Sequence, residues 1–166
     1  MITKKINKAI NDQINRELFS SYLYLAMSAE ATSKGFKGAG VWFRVQFQEE
    51  LEHAEKFYDY VLSQGAAVEL AAIDKPKVGF TSLLAMFEDT LKHEKYITQA
   101  LNDLMTLAVA EKDYATQALL QWFITEQVEE EANDYDIVSM LKMAGSSAGT
   151  LLMVDKQLGK RGAKPG

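Results

Sequence analysis

The sequence predicts an all-α protein: a four-helix bundle with one long crossover and a short fifth C-terminal helix. Apolar residues return at a helical period through four long stretches, each roughly 30 residues. Val, Ile and Thr nowhere alternate with polar residues over the length of a strand. Only two prolines occur, Pro76 and Pro165, so nothing breaks those stretches.

The first helix is expected over about residues 5–34, with Thr3 as a cap and Gly35 as its stop. Ile6, Ile10, Glu17, Tyr24 and Ser28 share one narrow stripe on it. The second, about 38–64, ends at Gly65 and carries Phe43, Glu50, Phe57 and Val61 on its stripe. The third, about 81–110, aligns Phe87, Leu91, Glu94, Ile97 and Leu101. Asp113 caps the fourth, which reaches Ala144 before Gly145 and aligns Leu119, Phe123, Glu130, Ile137 and Leu141. A short fifth helix, about 150–158, follows a Gly-Ser-Ser-Ala-Gly joint. Helices of roughly 40–45 Å are not independent in water and need a common core. The first-to-second and third-to-fourth links are short, so each pair is antiparallel. Residues 65–79 can extend over roughly 50 Å, the length of the bundle. The second and third helices are therefore expected to be parallel.

Each long helix carries a carboxylate where a core calls for leucine: Glu17, Glu50, Glu94 and Glu130. A buried carboxylate costs several kcal/mol unless it is paired or binds a metal. The heights also agree. Glu17 is 17 residues before the expected end of its helix and Glu50 is 12 after the start of the next. Glu94 is 16 before an end and Glu130 is 17 after a start. Antiparallel pairing therefore brings all four to mid-bundle. His53 follows Glu50 by one turn on the same face, and Gln127 precedes Glu130 by three residues. Carboxylates with an imidazole at mid-bundle match a di-iron or di-manganese site. Taken singly these residues have ordinary readings. Glu17 alone could be a rim residue, His53 alone a satisfied core or surface histidine, and Glu129-Glu130-Glu131 a solvated run. Tyr24 and Trp122 read first as core or near-core aromatics, and His93, one residue off the stripe, as structural or surface.

Composition narrows the function. The 166 residues suit a single domain, expected over 1–158 with a flexible tail at 159–166. Net charge is −5 and the pI is near 5.1, which argues against a nucleic-acid partner. There is no cysteine, which excludes disulfides and cysteine-held iron–sulfur clusters, and two histidines cannot form a three-histidine zinc site. No apolar run approaches a membrane span and no apolar run follows the basic start, so the expected location is the cytoplasm, away from membranes.

Four stretches resemble the bacterial and archaeal non-haem ferritins. They are Asn15-Arg-Glu17-Leu18 with Ser20-Ser-Tyr22-Leu-Tyr24, Gln48-Glu-Glu50-Leu51-Glu52-His53-Ala54, His93-Glu94, and Gln121-Trp122-Phe123 with Glu126-Gln127-Val128-Glu129-Glu130-Glu131. The resemblance runs over essentially the whole chain. It implies a ferritin-like bundle assembled into a 24-subunit cage, which oxidises Fe(II) with O₂ or hydrogen peroxide and stores ferric mineral inside. Carried onto this chain, it makes Glu17, Glu50 and His53 ligands of a first iron. Glu50, Glu94 and Glu130 become ligands of a second, with Glu50 bridging. Gln127 becomes a polar neighbour that steers O₂ or water, and Tyr24 an electron donor. Glu49, Glu126 and Glu129, with Glu130, correspond to a third iron position. It also places the fifth helix at the fourfold axes of the cage. The haem-containing relatives carry a second histidine and a methionine after the bridging glutamate. Here Gln127-x-x-Glu130 lacks the histidine and Leu51 takes the methionine's place, so no haem is expected. The alternatives are a ferritin-like, peroxide-scavenging di-iron enzyme and a non-catalytic iron-binding scaffold. The first commonly adds a cysteine-ligated iron domain, and this chain has no cysteine.

Overall fold

The computed structural model describes residues 1–162. Four long helices, α1 (Lys4–Ser33), α2 (Lys37–Ser63), α3 (Leu83–Ala110) and α4 (Tyr114–Ala144), are followed by α5 (Ala148–Leu158) and a 3₁₀ turn at Gly159–Gly162. No strand occurs among the described residues. The first turns are capped by side chains that the sequence supplies. Thr3 accepts from the Ile6 amide at 3.2 Å, Ser82 from Ala85 at 3.0 Å, and Asp113 from Thr116 at 3.0 Å. Ser147 caps α5 in the same way, so that helix begins two residues earlier than its apolar run suggests.

The long connection between α2 and α3 lies along α1. Asn7, Asn11 and Asn15, one turn apart, act as rungs. The Asn7 and Asn11 amides donate to Ala67 O, Asn11 Oδ1 accepts from the Glu69 amide at 2.7 Å, and Asn15 donates to Ala72 O at 3.1 Å. At the far end Glu30 accepts from the Gly79 and Phe80 amides at 2.8 and 2.7 Å. The segment thus starts beside the beginning of α1 and finishes beside its end. That fixes α3 antiparallel to α1 and parallel to α2, as the loop length predicts.

α2 has no side-chain cap of its own, because Phe36 stands at that position. Asp155 of α5 serves instead: Oδ2 accepts from the Gly38 amide at 3.0 Å and Oδ1 from the Ala39 amide at 2.8 Å. The approach requires glycine, since a Cβ on Gly38 would lie 1.7 Å from the Asp155 carbonyl oxygen. Replacing Asp155 with Ala leaves two orphan amides at a helix start and should cost about 1–2 kcal/mol. The expected result is a melting temperature lower by several degrees in a circular-dichroism melt. An unchanged melting temperature would mean that the contact does not hold α5 in place.

The core has two parts with an acidic layer between them. One cluster gathers Tyr24, Met27, Phe43, Phe87, Leu141 and Val154. The other gathers Ile6, Ile10, Phe57, Leu101, Leu120 and Phe123. Both are tied by aromatic stacks: Phe43 on Phe87 at 4.8 Å between ring centroids and Phe57 on Phe123 at 4.0 Å. Along every long helix the buried glutamate falls between residues of the first cluster and residues of the second. Apolar packing on both sides fixes the height of that layer.

Candidate metal centre

Glu17, Glu50, Glu94 and Glu130 are all buried, none more than 5 % exposed. One ligand atom from each of Glu17, Glu50 and His53 lies within 4.8 Å of the other two. His53 Nδ1 stands 3.3 Å from Glu50 Oε2, and the imidazole is held edge-on by Trp122 and Phe123, with centroids 5.5 and 5.7 Å away. Amide donors steady the carboxyl groups. Gln13 donates to Glu17 at 2.7 Å and Gln46 to Glu50 at 2.6 Å, each from one turn earlier on the same helix. Gln127 crosses from α4 to Glu94 Oε2 at 2.9 Å, and the Tyr24 hydroxyl donates to Glu94 Oε1. Glu17 Oε2 is buried without a partner among the described residues.

These environments penalise the charged form. Burial, followed by the neighbouring carboxylates, pushes Glu17, Glu50 and Glu94 up to about 8 and Glu130 to about 7. Burial and the charge of Glu94 raise the Tyr24 phenol well above its ordinary value, so it stays a neutral donor at neutral pH. A divalent cation between the carboxylates would reverse the penalty, and an oxygen-rich set with one imidazole suits Fe(II). The donor set and the orphaned Glu17 oxygen both fit such an ion.

The remaining expected residues divide. Gln127 and Tyr24 sit against Glu94, in the layer itself. Glu49 and Glu126 are half-buried beside it, and Glu129 is exposed. Burial raises Glu49, and the charge of Glu126 adds to that. Glu49 is paired with Arg161 of the C-terminal turn. The segment from Gly159, read from sequence as part of a tail, therefore turns back onto α2 through Arg161, while 163–166 lie outside the described residues. His93 stays apart from the cluster, with Nε2 2.7 Å from Ser20 Oγ, and burial lowers it to about 4, leaving a neutral structural imidazole. Trp122 is 40 % exposed, with Lys56 over its face at 3.7 Å, so it is less a core residue than its position suggested.

Sequence reasoning missed three participants. Gln13 and Gln46 are legible as a repeated Gln-x-x-x-Glu on α1 and α2. Asp134 lies one turn beyond Glu130 and is 1 % exposed, with neither carboxyl oxygen paired among the described residues. Burial and the charges of Glu94 and Glu130 push it up to about 9. Its spacing from Glu130 was the available signal.

The family pattern described as "Ferritin-like domain" matches residues 7–144. The chain belongs to the ferritin family. It is 40 % identical over 161 residues to the bacterial non-heme ferritin of Bacteroides fragilis, covering 97 % of this chain and 100 % of the relative. Against the bacterial non-heme ferritin of Staphylococcus aureus it is 37 % identical over 161 residues, with 97 % of each chain covered. Among solved structures, the open pore ferritin from the archaeon Archaeoglobus fulgidus superposes with a TM-score of 0.95 at 45 % identity, covering 96 % of this chain and 98 % of that one. A humanized archaeal ferritin gives 0.96 at 44 %, covering 99 % and 100 %. This ferritin-family chain thus matches its relatives through the crossover and α5 as well as the four long helices. No helix among its described residues is long and apolar enough to cross a membrane.

Proposed function

We propose that this chain is a ferroxidase subunit that takes Fe(II) as substrate and stores the ferric product inside a 24-subunit cage. The observation that carries the reading is the layer of four buried glutamates with His53, sealed above and below by apolar packing. Glu17, Glu50 and His53 receive one Fe(II). Glu50, Glu94 and Glu130 receive the second, with Glu50 shared. Two Fe(II) supply two electrons, and O₂ with two protons leaves as hydrogen peroxide. Hydrogen peroxide with two further Fe(II) and two protons leaves as water.

The chain's own groups set the conditions for this transfer. Gln13 and Gln46 hold the Glu17 and Glu50 carboxyl groups in place from the same helix. Gln127 and the Tyr24 hydroxyl hold Glu94 from two others. In this reading Tyr24, whose hydroxyl meets Glu94, is also the electron donor beside the centre. The carboxyl groups shed protons as cations enter, because the charged form is tolerated only when it is neutralised. Glu49, Glu126 and Glu129, with Glu130, offer a third, oxygen-only position beside the centre. No haem takes part. The exposed apolar side chains Leu152 and Met153 of α5 are suited to burial between subunits. The cytoplasm is the proposed site of action.

The test is to add Fe(II) aerobically to metal-free protein and separate the products by size with iron detection. Twenty-four chains of 18.6 kDa make a particle of about 450 kDa. Such a particle, carrying many more ions per chain than the centre can hold, is expected. Small assemblies that keep only stoichiometric iron would rule out storage.

His53 provides a narrower check. His53→Ala removes the imidazole without opening the main apolar clusters, so the fold should persist. Rapid-mixing traces at two Fe(II) per chain should show the initial phase slowed by about 100-fold, the upper end of what changes around metal sites cost. Traces that overlay those of the parent would remove His53 from the ligand set.

A further inference from the structure

Arg161 is positioned with unusual care for a residue so near the end of the chain. α5 is locked to the start of α2 by Asp155, and Gly159 passes so close to Gly38 that a Cβ there would lie 3.2 Å from the Gly38 Cα. From this anchored turn the Arg161 side chain reaches back along α2. Its guanidinium carbon lies 4.5 Å from the centre of the Trp42 ring, and Nη2 donates to Glu49 Oε2. The other terminal nitrogen, Nη1, is buried and without a partner among the described residues. So are both oxygens of Asp134. The guanidinium draws the Glu49, Glu130 and Asp134 carboxyl groups back toward their charged forms. Asp134 is short of a partner in either protonation state, since a neutral acid still has a hydrogen to donate.

We propose that Arg161 is a tethered cation that competes with Fe(II) for Glu49 and so governs occupancy of the third iron position. This rests on the third position described above. Glu49 cannot form a full ion pair with the guanidinium and ligate a metal ion with the same oxygen. An arginine bonded through one prong, with the second prong unpaired, is held less firmly than in a two-pronged pair. When an ion takes Glu49, the guanidinium gives up that partner and can remain stacked on Trp42. The third ion then binds more weakly than the first two and leaves more readily.

Anaerobic Fe(II) titration calorimetry of the metal-free parent, Arg161→Gln and Arg161→Lys tests this, with circular-dichroism melts to follow the fold. In Arg161→Gln the third ion should bind about tenfold or more tightly, a change of about 1.4 kcal/mol, with the first two unchanged. Arg161→Lys, still cationic, should stay near the parent. A third ion bound equally or more weakly in Arg161→Gln, with or without a lower melting temperature, would make Arg161 only a clip for α5 and overturn the competition. Two ions and no third in both parent and Arg161→Gln would overturn the competition together with the third position. Rapid oxidation of the first two Fe(II) by the same samples would show that the di-iron reading survives either failure.

Discussion

Glu50→Gln should abolish fast iron oxidation while making the metal-free protein more stable at alkaline pH. Glu50 is the carboxylate shared between both proposed iron positions, and its side chain meets Gln46 and His53 inside the layer. The amide keeps the shape and loses the charge. Oxidation of two Fe(II) per chain should slow by about 100-fold or more, at or beyond the upper end of changes around metal sites. At about pH 8.5 the parent must hold several like charges in a buried layer, and the variant holds one fewer. Its melting temperature should therefore rise by several degrees, at about 2–4 °C per kcal/mol for a domain of this size. Zn(II), which cannot be oxidised, should raise the parent's melting temperature and leave the variant's almost unchanged. A variant that oxidises iron at the parent's rate would remove Glu50 from the centre.

The metal-free protein should lose stability steadily between about pH 4.5 and pH 8. Glu17, Glu50 and Glu94 are raised from 4.5 to about 8 in the fold, Glu130 to about 7, and Asp134 from 3.8 to about 9. For an acid whose folded value lies above its unfolded one, the folded state holds the extra proton across that window. Stability is then greatest below the unfolded value and falls as pH rises through the folded one. Depressed carboxylates such as Glu30 act in the opposite direction at the acid end. One glutamate raised this far corresponds to about 5 kcal/mol, so the expected effect is at least of that order, read from urea midpoints at several pH values. Saturating Zn(II) should flatten the slope and release protons on binding. A metal-free protein whose stability is level or rising from about pH 6 to pH 8 would contradict the burial of this layer.

The glutamates are legible in the sequence because each interrupts an apolar stripe, and a carboxylate on such a stripe has few inexpensive explanations. His53 follows from its one-turn spacing, and the parallel arrangement of α2 and α3 from the length of one loop. Periodicity reports which face a residue occupies and says little about what meets it there. The Asn7, Asn11 and Asn15 rungs, the trans cap that Asp155 provides to α2, and the return of Arg161 to Glu49 all join segments far apart in the chain. Each needs the assembled bundle to be seen. Asp134 sat among several charged and polar residues, and only a settled helix phase separates it from its exposed neighbours. Glu129, adjacent to Glu130 in sequence, lies about 100° away on the helix and is exposed, so its part in the proposed third position is at the edge of the buried layer.

The most direct measurement is Fe(II) binding to the metal-free protein under nitrogen, by titration calorimetry, with the parent compared against a Glu17→Gln, Glu94→Gln double variant. These two residues belong to different proposed iron positions and lie on different helices. The parent should bind two ions per chain tightly, with proton release into the buffer, and the double variant should lose both tight sites while its helical melt remains cooperative. Two tight ions in the double variant, or none in the parent, would contradict a di-iron centre built from the buried glutamate layer.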